Sequence, residues 1–561
     1  MIAFRKPTGI SIGLALSFAA MSHTANAQAQ AGPDAGMQDQ VDVGERAERT
    51  SAVDIAPYIE ASQVITAQLQ PGDDVLTYTQ LAAGVDATVA GRNSSASASL
   101  RYEREIGYGD AVDSDTVSGI ARASVGLLRR GITLEAGALA SRTRVESNGF
   151  SSIGAVGGND DASSQIYSIY AGPSIQTRSG PLEISGSYRL GYTRVETSDV
   201  LITAPGVAPV DIFDDSVTHN AAIRFGAAPG TIAPVGIGIG AGWNRQDISN
   251  LDQRIEDRHV RGDVTLPVSP NVALVGGVGY EDVEVSSRDA LLDGDGVPVI
   301  GSDGRLVTDE SGQRQIAYET DGLIWDVGVM WRPSIRTSLE AHVGRRYGST
   351  TYYGSLSYAP NVNSSLSVSV YDNITGFGGQ LTDALDLLGS DFQAARNPIS
   401  GDLGGCVIGA EGNNCALAQL NSLRSSVFRN RGIAASYSVT GRRTSFGIGA
   451  GYDRRSFIGG ENTVLADIDG VIDESYYVAA NVSRQLDRKS GISAGAYASW
   501  FNGGSGTLGD GFGYSASIAY NRNIWRGLTG VAAIGLDGVS RDNLPDYSAA
   551  SALLGLRYTF D

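Results

Sequence analysis

A period of two, repeated along nearly the whole chain, is the feature that most limits what this sequence can fold into. In Ser364–Val370, Leu366, Val368 and Val370 fall on one side and Ser365, Ser367 and Ser369 on the other. In Leu182–Thr193, Leu182, Ile184, Tyr188, Leu190 and Tyr192 oppose Glu183, Ser185, Ser187, Arg189 and Thr193. In Leu323–Arg332, Leu323, Trp325, Val327, Val329 and Trp331 oppose Asp326, Gly328 and Arg332. Side chains of a strand alternate between faces, so each such segment is a strand with one apolar face. No stretch approaches the roughly 20 apolar residues of a membrane-spanning helix.

The segments run from Val53–Leu69 to Pro545–Phe560 and number about 22, an even count of the kind found in single-chain outer-membrane barrels. Their connections alternate in length. Those after even-numbered strands are tight, such as Ser179-Gly-Pro181, Gly441-Arg-Arg443 and Arg526-Gly527. Many of those after odd-numbered strands are long and acidic: Asn148–Ala162, Asp199–Asp215, Asp289–Gln315, Gly378–Ser426 and Gly459–Asp473. Short turns at one rim and long loops at the other are how such barrels are built. Three odd connections, Gln70–Asp74, Asn250–Gln253 and Gly348, break the length rule.

Charge fixes which face is wet. An arginine facing mid-bilayer lipid costs about 2–4 kcal/mol. Arg189, Glu183, Asp326 and Arg332 are therefore expected to face an aqueous lumen. Trp331 and Trp525 lie beside tight turns, near the same rim as Tyr558 and Phe560. A β-sandwich would also have one polar face, but aromatics gathered at one rim suit a bilayer interface. The expected fold is all-β: a closed antiparallel transmembrane β-barrel of about 22 strands, monomeric, in a bacterial outer membrane.

The N-terminus agrees with export. Arg5 and Lys6, an apolar run over Ile10–Met21 and Ala25-Asn26-Ala27 form a signal peptide over 1–27. Residues 28–52 are polar and acidic and are expected to be a disordered periplasmic leader. A TonB-dependent transporter carries a far longer folded plug at this position. The barrel is expected over 53–561. The net charge of −19 leaves no basic surface for nucleic acid. No cofactor is implied.

One segment departs from the strand pattern. Within 378–426, Leu381, Leu385, Leu388 and Phe392 recur at helical spacing, as do Leu417, Leu420 and Arg424. Cys406 and Cys415 are the only cysteines, and in an exported chain they are expected to form a disulfide. Two readings stay open: a surface loop with two short helices, or a gate folded over or into the lumen. The second has a motive, because a barrel of this size without a plug has a wide bore.

Signs of chemistry are weak, and no enzyme is expected. Gly491-Ile-Ser493-Ala-Gly495 matches a hydrolase elbow but begins an alternating strand, where the required strand-to-helix turn is absent. His219, His259 and His342 are scattered over separate strands. Asp293, Asp295, Asp467 and Asp469 offer hard oxygen ligands, yet none belongs to a full calcium-loop spacing, so solvated turns are the simpler reading.

Two resemblances add to this reading. Gly555-x-x-Tyr558-x-Phe560 resembles the C-terminal signal recognised by the barrel assembly machinery, departing from it in the final Asp561. The stretch Gly344-Arg-Arg-Tyr-Gly-Ser-Thr-Thr-Tyr-Tyr-Gly-Ser-Leu-Ser-Tyr358, continued by Ser364–Tyr371, resembles the β-barrel porins found with exosortase-linked exopolysaccharide systems. Ser483-Arg-Gln-Leu-Asp-Arg-Lys-Ser490 looks like a matching late hairpin. The resemblance implies an outer-membrane channel for polysaccharide export. It transfers no catalytic residue. From the lumen arginines such as Arg189, passage of polar or anionic solutes is the expected function, and from the barrel fold, outer-membrane lipid is the expected surrounding. The alternative is a structural or adhesive barrel with a closed lumen.

Overall fold

The computed structural model describes residues 52–128, 131–145, 151–152, 163–197, 215–301, 305–390, 392–409, 412–414, 423–504, 509–542 and 544–560. The signal peptide and all of the leader but Ala52 lie outside these. Ala52 itself already belongs to the first strand.

Twenty-two antiparallel strands close on themselves. In chain order they begin with β1 (Ala52–Gln70), β2 (Val75–Ala90), β3 (Ser94–Tyr108), β4 (Ser114–Leu128) and β5 (Ile132–Val145). Next come β6 (Ser163–Ser179), β7 (Leu182–Thr197), β8 (Asp215–Ala227), β9 (Gly236–Ile248) and β10 (Gln253–Ser269). Then β11 (Val272–Ser287), β12 (Gln315–Ser334), β13 (Thr337–Arg346), β14 (Ser349–Asn361) and β15 (Ser364–Thr375). After the departing segment follow β16 (Phe428–Thr440), β17 (Thr444–Phe457), β18 (Ile472–Gln485) and β19 (Ser490–Asn502). The ring ends with β20 (Gly511–Trp525), β21 (Leu528–Arg541) and β22 (Leu544–Thr559). Each strand pairs with its chain neighbour, and β22 returns to β1 in a register that sets Tyr58 opposite Thr559 and Ala67 opposite Ala550. Closure leaves no unpaired edge, the condition for strands to cross a bilayer.

The turn between β8 and β9 is longer than the Pro229-Gly230 turn expected from sequence: it covers 228–235, and Gly230 takes a positive φ of 82°. Gly180 and Gly527 do the same in the tight turns after β6 and β20 (φ 60° and 74°), a conformation that other residues adopt at a cost.

Alternation sorts the two faces. On β11 and β12 the outward rows pair Tyr280 with Leu323, Val278 with Trp325 and Val272 with Trp331. Leu323 is 65% exposed, and Val278, Trp325 and Trp331 are exposed with it. Strands rise about 3.3 Å per residue and tilt by about 40°, so Val272 to Tyr280 covers about 20 Å of bilayer, close to the usual apolar band. Inward positions of the same strands carry Asp326, Glu281 and Gly277.

Many inward glycines leave room for a large side chain lying flat against the wall. A Cβ at Gly84 would run into the Tyr58 ring, one at Gly137 into Tyr170, and one at Gly451 into Tyr477. Arg224 lies over Gly238 and Arg261 over Gly277 in the same way. Large groups thus line the lumen without projecting across it.

Candidate functional site: the segment inside the lumen

Beyond the top of β15, the described residues of the long segment (376–390, 392–409, 412–414 and 423–426) turn into the barrel. The Gly376 amide donates to Gln246 Oε1 of β9 at 2.9 Å, and helix α1 (Phe377–Asp386) follows. Phe377, Leu381, Leu385 and Leu388 pack on Ile120, Leu139, Ile166, Tyr170 and Val195, inward residues of β4 to β7. Leu381 is 0% exposed, and Phe392 is buried in the same cluster.

Helical spacing in the sequence continues to Phe392, but the helix stops at Asp386. Leu387 is the C-cap, and Phe392 opens a short strand, Phe392–Arg396. Arg122 of β4 ends the helix by donating to the carbonyls of Leu385, Asp386 and Leu388, groups that would otherwise lack partners.

The chain then descends almost to the periplasmic rim. The Ser390 carbonyl accepts from Ser97 Oγ at 3.0 Å, and its hydroxyl meets that of Ser95, the second residue of β3. Strands Phe392–Arg396, Leu403–Gly409 and Gly412–Asn414 form a small sheet within the lumen. Arg396 donates to Ser118 Oγ (2.7 Å) and to the Ser99 carbonyl (3.0 Å). Ile399 packs against Val64, Ala519, Ala533 and Leu553, on β1, β20, β21 and β22. Those strands lie across the ring from β9, where the segment enters, so it spans the bore from wall to wall.

Ion pairs and an arginine hydrogen bond fasten it. Arg142 meets Asp402 at 3.2 Å, and Arg455 donates to Gln380 at 2.9 Å. Arg424 meets Asp473 at 3.0 Å. Arg189 reaches Asp386 at 3.2 Å and Asp383 at 3.4 Å.

Elsewhere the lumen wall carries belts of alternating charge. Arg261 binds Asp326 through two contacts of 2.7 and 2.8 Å, and Asp326 also meets His342 at 3.0 Å, which in turn meets Glu340 at 3.0 Å. Arg346 holds Asp257 and Glu281, and Arg101 lies between Glu60 and Glu103.

The four charged residues singled out from sequence therefore do not form one site. Arg189 meets the inward segment. Asp326 belongs to the wall belt. Glu183 pairs with Arg178 beside a periplasmic turn, and Arg332 lies half-buried near the end of β12. Gly555 is opposite Ser62, Tyr558 opposite Ile59, and the exposed Phe560 ring meets Tyr558 edge-on at 4.9 Å.

Asp293 accepts from the amides of Asp295 and Val297, and Asp469 from that of Gly459, while Asp467 lies in a short helical turn. Among the described residues no three His, Cys, Asp or Glu side chains converge to hold a metal. Ser493 lies in mid-strand, opposite Ser483 and Ala519, with no turn into a helix. The Cys406 side chain, Cys415, Leu417 and Leu420 lie outside the described residues.

A closed 22-stranded ring with an apolar outer band, an aromatic rim and a charged lumen has one fitting environment. The chain is an outer-membrane β-barrel. No family model and no curated protein matches it. Among solved structures it is similar to the FrpB iron transporter from Neisseria meningitidis (F3-3 variant), with 10% identity over 90% of this chain and 81% of that one, and a TM-score of 0.42. The closed form of the ferric-catecholate import receptor Fiu from E. coli K12 gives 10% identity over 90% and 82%, and a TM-score of 0.43. The ferric yersiniabactin uptake receptor FyuA from Yersinia pestis gives 10% over 91% and 80%, and 0.38. Likeness at this level carries over neither cargo nor mechanism.

The wall residues that hold the segment, Arg122, Arg142, Gln246 and Arg455, were not singled out from sequence. One signal for the docking face was present. Ile166 and Tyr170 face inward while Ile169 faces outward, so β6 is apolar on both faces, unlike a strand lining open water.

Proposed function

We propose that this protein is an outer-membrane channel for polar or anionic solutes, linked to exopolysaccharide export, whose bore is occupied at rest by the described part of the segment after β15. The observation that carries this reading is the polar attachment of the segment. From Ser390 to Asp402 it is held by serines, arginines, glutamine and backbone groups facing the lumen. The hydrogen bonds among them exchange readily with water, since a typical one contributes only about 0.5–1.5 kcal/mol net, which leaves the buried Arg142–Asp402 pair as the stronger tie. The protein acts as a monomer, with outer-membrane lipid around it and insertion by the barrel assembly machinery at its last strand.

A second reading, a structural or adhesive barrel with a permanently closed lumen, is favoured by the apolar docking of α1, whose three large residues Phe377, Leu381 and Leu385 are buried, with Leu388 just beyond the helix, against β4 to β7. Conductance in planar bilayers separates the two. The intact protein is expected to conduct weakly, and a variant lacking 383–422 to conduct steadily and strongly. Silence from both would leave the closed barrel.

A further inference from the structure

Asp386 ends α1 as an acid at the negative end of the helix dipole, a place that disfavours a carboxylate. Two arginines from different wall strands hold it there. Asp386 Oδ1 is 3.6 Å from Arg122 of β4, and Oδ2 is 3.2 Å from Arg189 of β7. The carboxylate is 6% exposed and the guanidinium groups 11% and 18%. The registers bring the two arginines to one stretch of wall: Arg122 is opposite Gly137, Gly137 opposite Tyr170, and Tyr170 opposite Gly191, two residues from Arg189. Arg122 also meets Glu135 at 3.3 Å.

A second observation points to a ligand. Tyr170 is 1% exposed, and its hydroxyl has no hydrogen-bond partner, although it lies within electrostatic reach of Arg122, Asp386, Glu135 and Arg189. Arg122 Nε is also without a partner. Two buried donors thus stay unused although Asp386 meets both arginines, Glu135 meets Arg122 and Asp383 meets Arg189, and a buried donor without a partner carries a desolvation cost.

We infer that Arg122, Arg189 and Tyr170 form a binding site for a carboxylated solute, and that Asp386 occupies it at rest as a tethered competitor. Paired guanidinium groups in a poorly hydrated wall suit a carboxylate, which can accept from both. A sugar acid would also bring hydroxyls to the Tyr170 side. Because Asp386 is part of the same chain, its effective concentration is high, and a free carboxylate competes poorly until the helix contact weakens. The use of this site in passage rests on the channel reading above; binding itself does not.

The test is equilibrium dialysis of tetragalacturonate against the full-length protein in detergent, with the neutral methyl ester as control. Asp386→Asn is expected to tighten tetragalacturonate binding at least tenfold over the wild type and to leave the ester unchanged. Adding Arg122→Gln and Arg189→Gln should abolish the gain, and adding Tyr170→Phe instead should reduce it about threefold. The tyrosine variant keeps the ring over Gly137, so it serves if the double arginine variant does not fold. Equal binding by wild type and Asp386→Asn, a gain that survives in the arginine or tyrosine variants, or an equal gain with the ester would overturn the site. Binding that follows the expected pattern in a protein that stays silent in bilayers would retain the site and sink the channel.

Discussion

Arg142 and Asp402, 260 residues apart in sequence, meet at 3.2 Å with side chains 5% and 1% exposed. The pair ties the upper part of β5 to the segment that crosses the lumen. Breaking a buried pair leaves a charge without compensation, which typically costs about 3–5 kcal/mol. Arg142→Ala is expected to loosen the inward segment while the ring stays closed. Limited proteolysis should then cut within 397–409, with heat-modifiable gel migration of the barrel unchanged.

Leu381 is fully buried in the contact between α1 and the wall. Leu381→Ala removes packing worth about 2–5 kcal/mol at such sites. The helix should undock in part, and the variant should conduct more often than wild type in planar bilayers. An unchanged trace would mean that the polar contacts hold the helix without it.

Gly137 leaves room for the Tyr170 ring. Gly137→Val is expected to lower the urea midpoint of unfolding in vesicles, because neither the strand nor the buried ring can yield. Adding Tyr170→Ala should recover much of the loss. Failure of that rescue would place the strain in the backbone.

Ile534 is 60% exposed on the outer face, in the middle of β21, and Trp525 is 77% exposed at the end of β20. An arginine on the lipid face costs about 2–4 kcal/mol at the midplane and about 0–1 kcal/mol near the interface. Ile534→Arg should therefore destabilise the barrel in vesicles far more than Trp525→Arg. Equal effects would place the bilayer elsewhere on the wall.

In the periplasmic turn after β18, the Asp487 carboxylate accepts from the amides of Lys489 and Ser490 and from the Ser490 hydroxyl, which hold its pKa below the usual aspartate value. The charged form is favoured in the folded turn. Its contribution is present above the unfolded pKa of about 3.9 and is lost as pH falls through the lower folded value. Asp487→Asn should thus be less stable than wild type at pH 7, and the gap should shrink below pH 4 in urea titrations.

The wall was legible in the sequence because its information is local. Alternation such as that of Leu182–Thr193 fixes which side chains face lipid, and the tight turns fix which strands are neighbours. An even number of such strands lets the last pair antiparallel with the first, as β22 does with β1. Even Arg189 could be assigned to the lumen from the cost of the alternative.

The direction taken by residues 376–426 was not legible. Helical spacing at Leu381, Leu385 and Leu388 requires a partner surface without naming it. That surface consists of Ile120, Leu139, Ile166 and Val195, on four strands more than 180 residues away. The spacing also ran past the true helix end, because the stop at Asp386 comes from Arg122, a residue 264 positions distant. The sequence by itself determined a closed barrel and its polarity, since both depend on period and turn chemistry. Only the tertiary structure decided that the described part of the long loop crosses the bore, because that choice depends on which inward side chains the closed ring brings together.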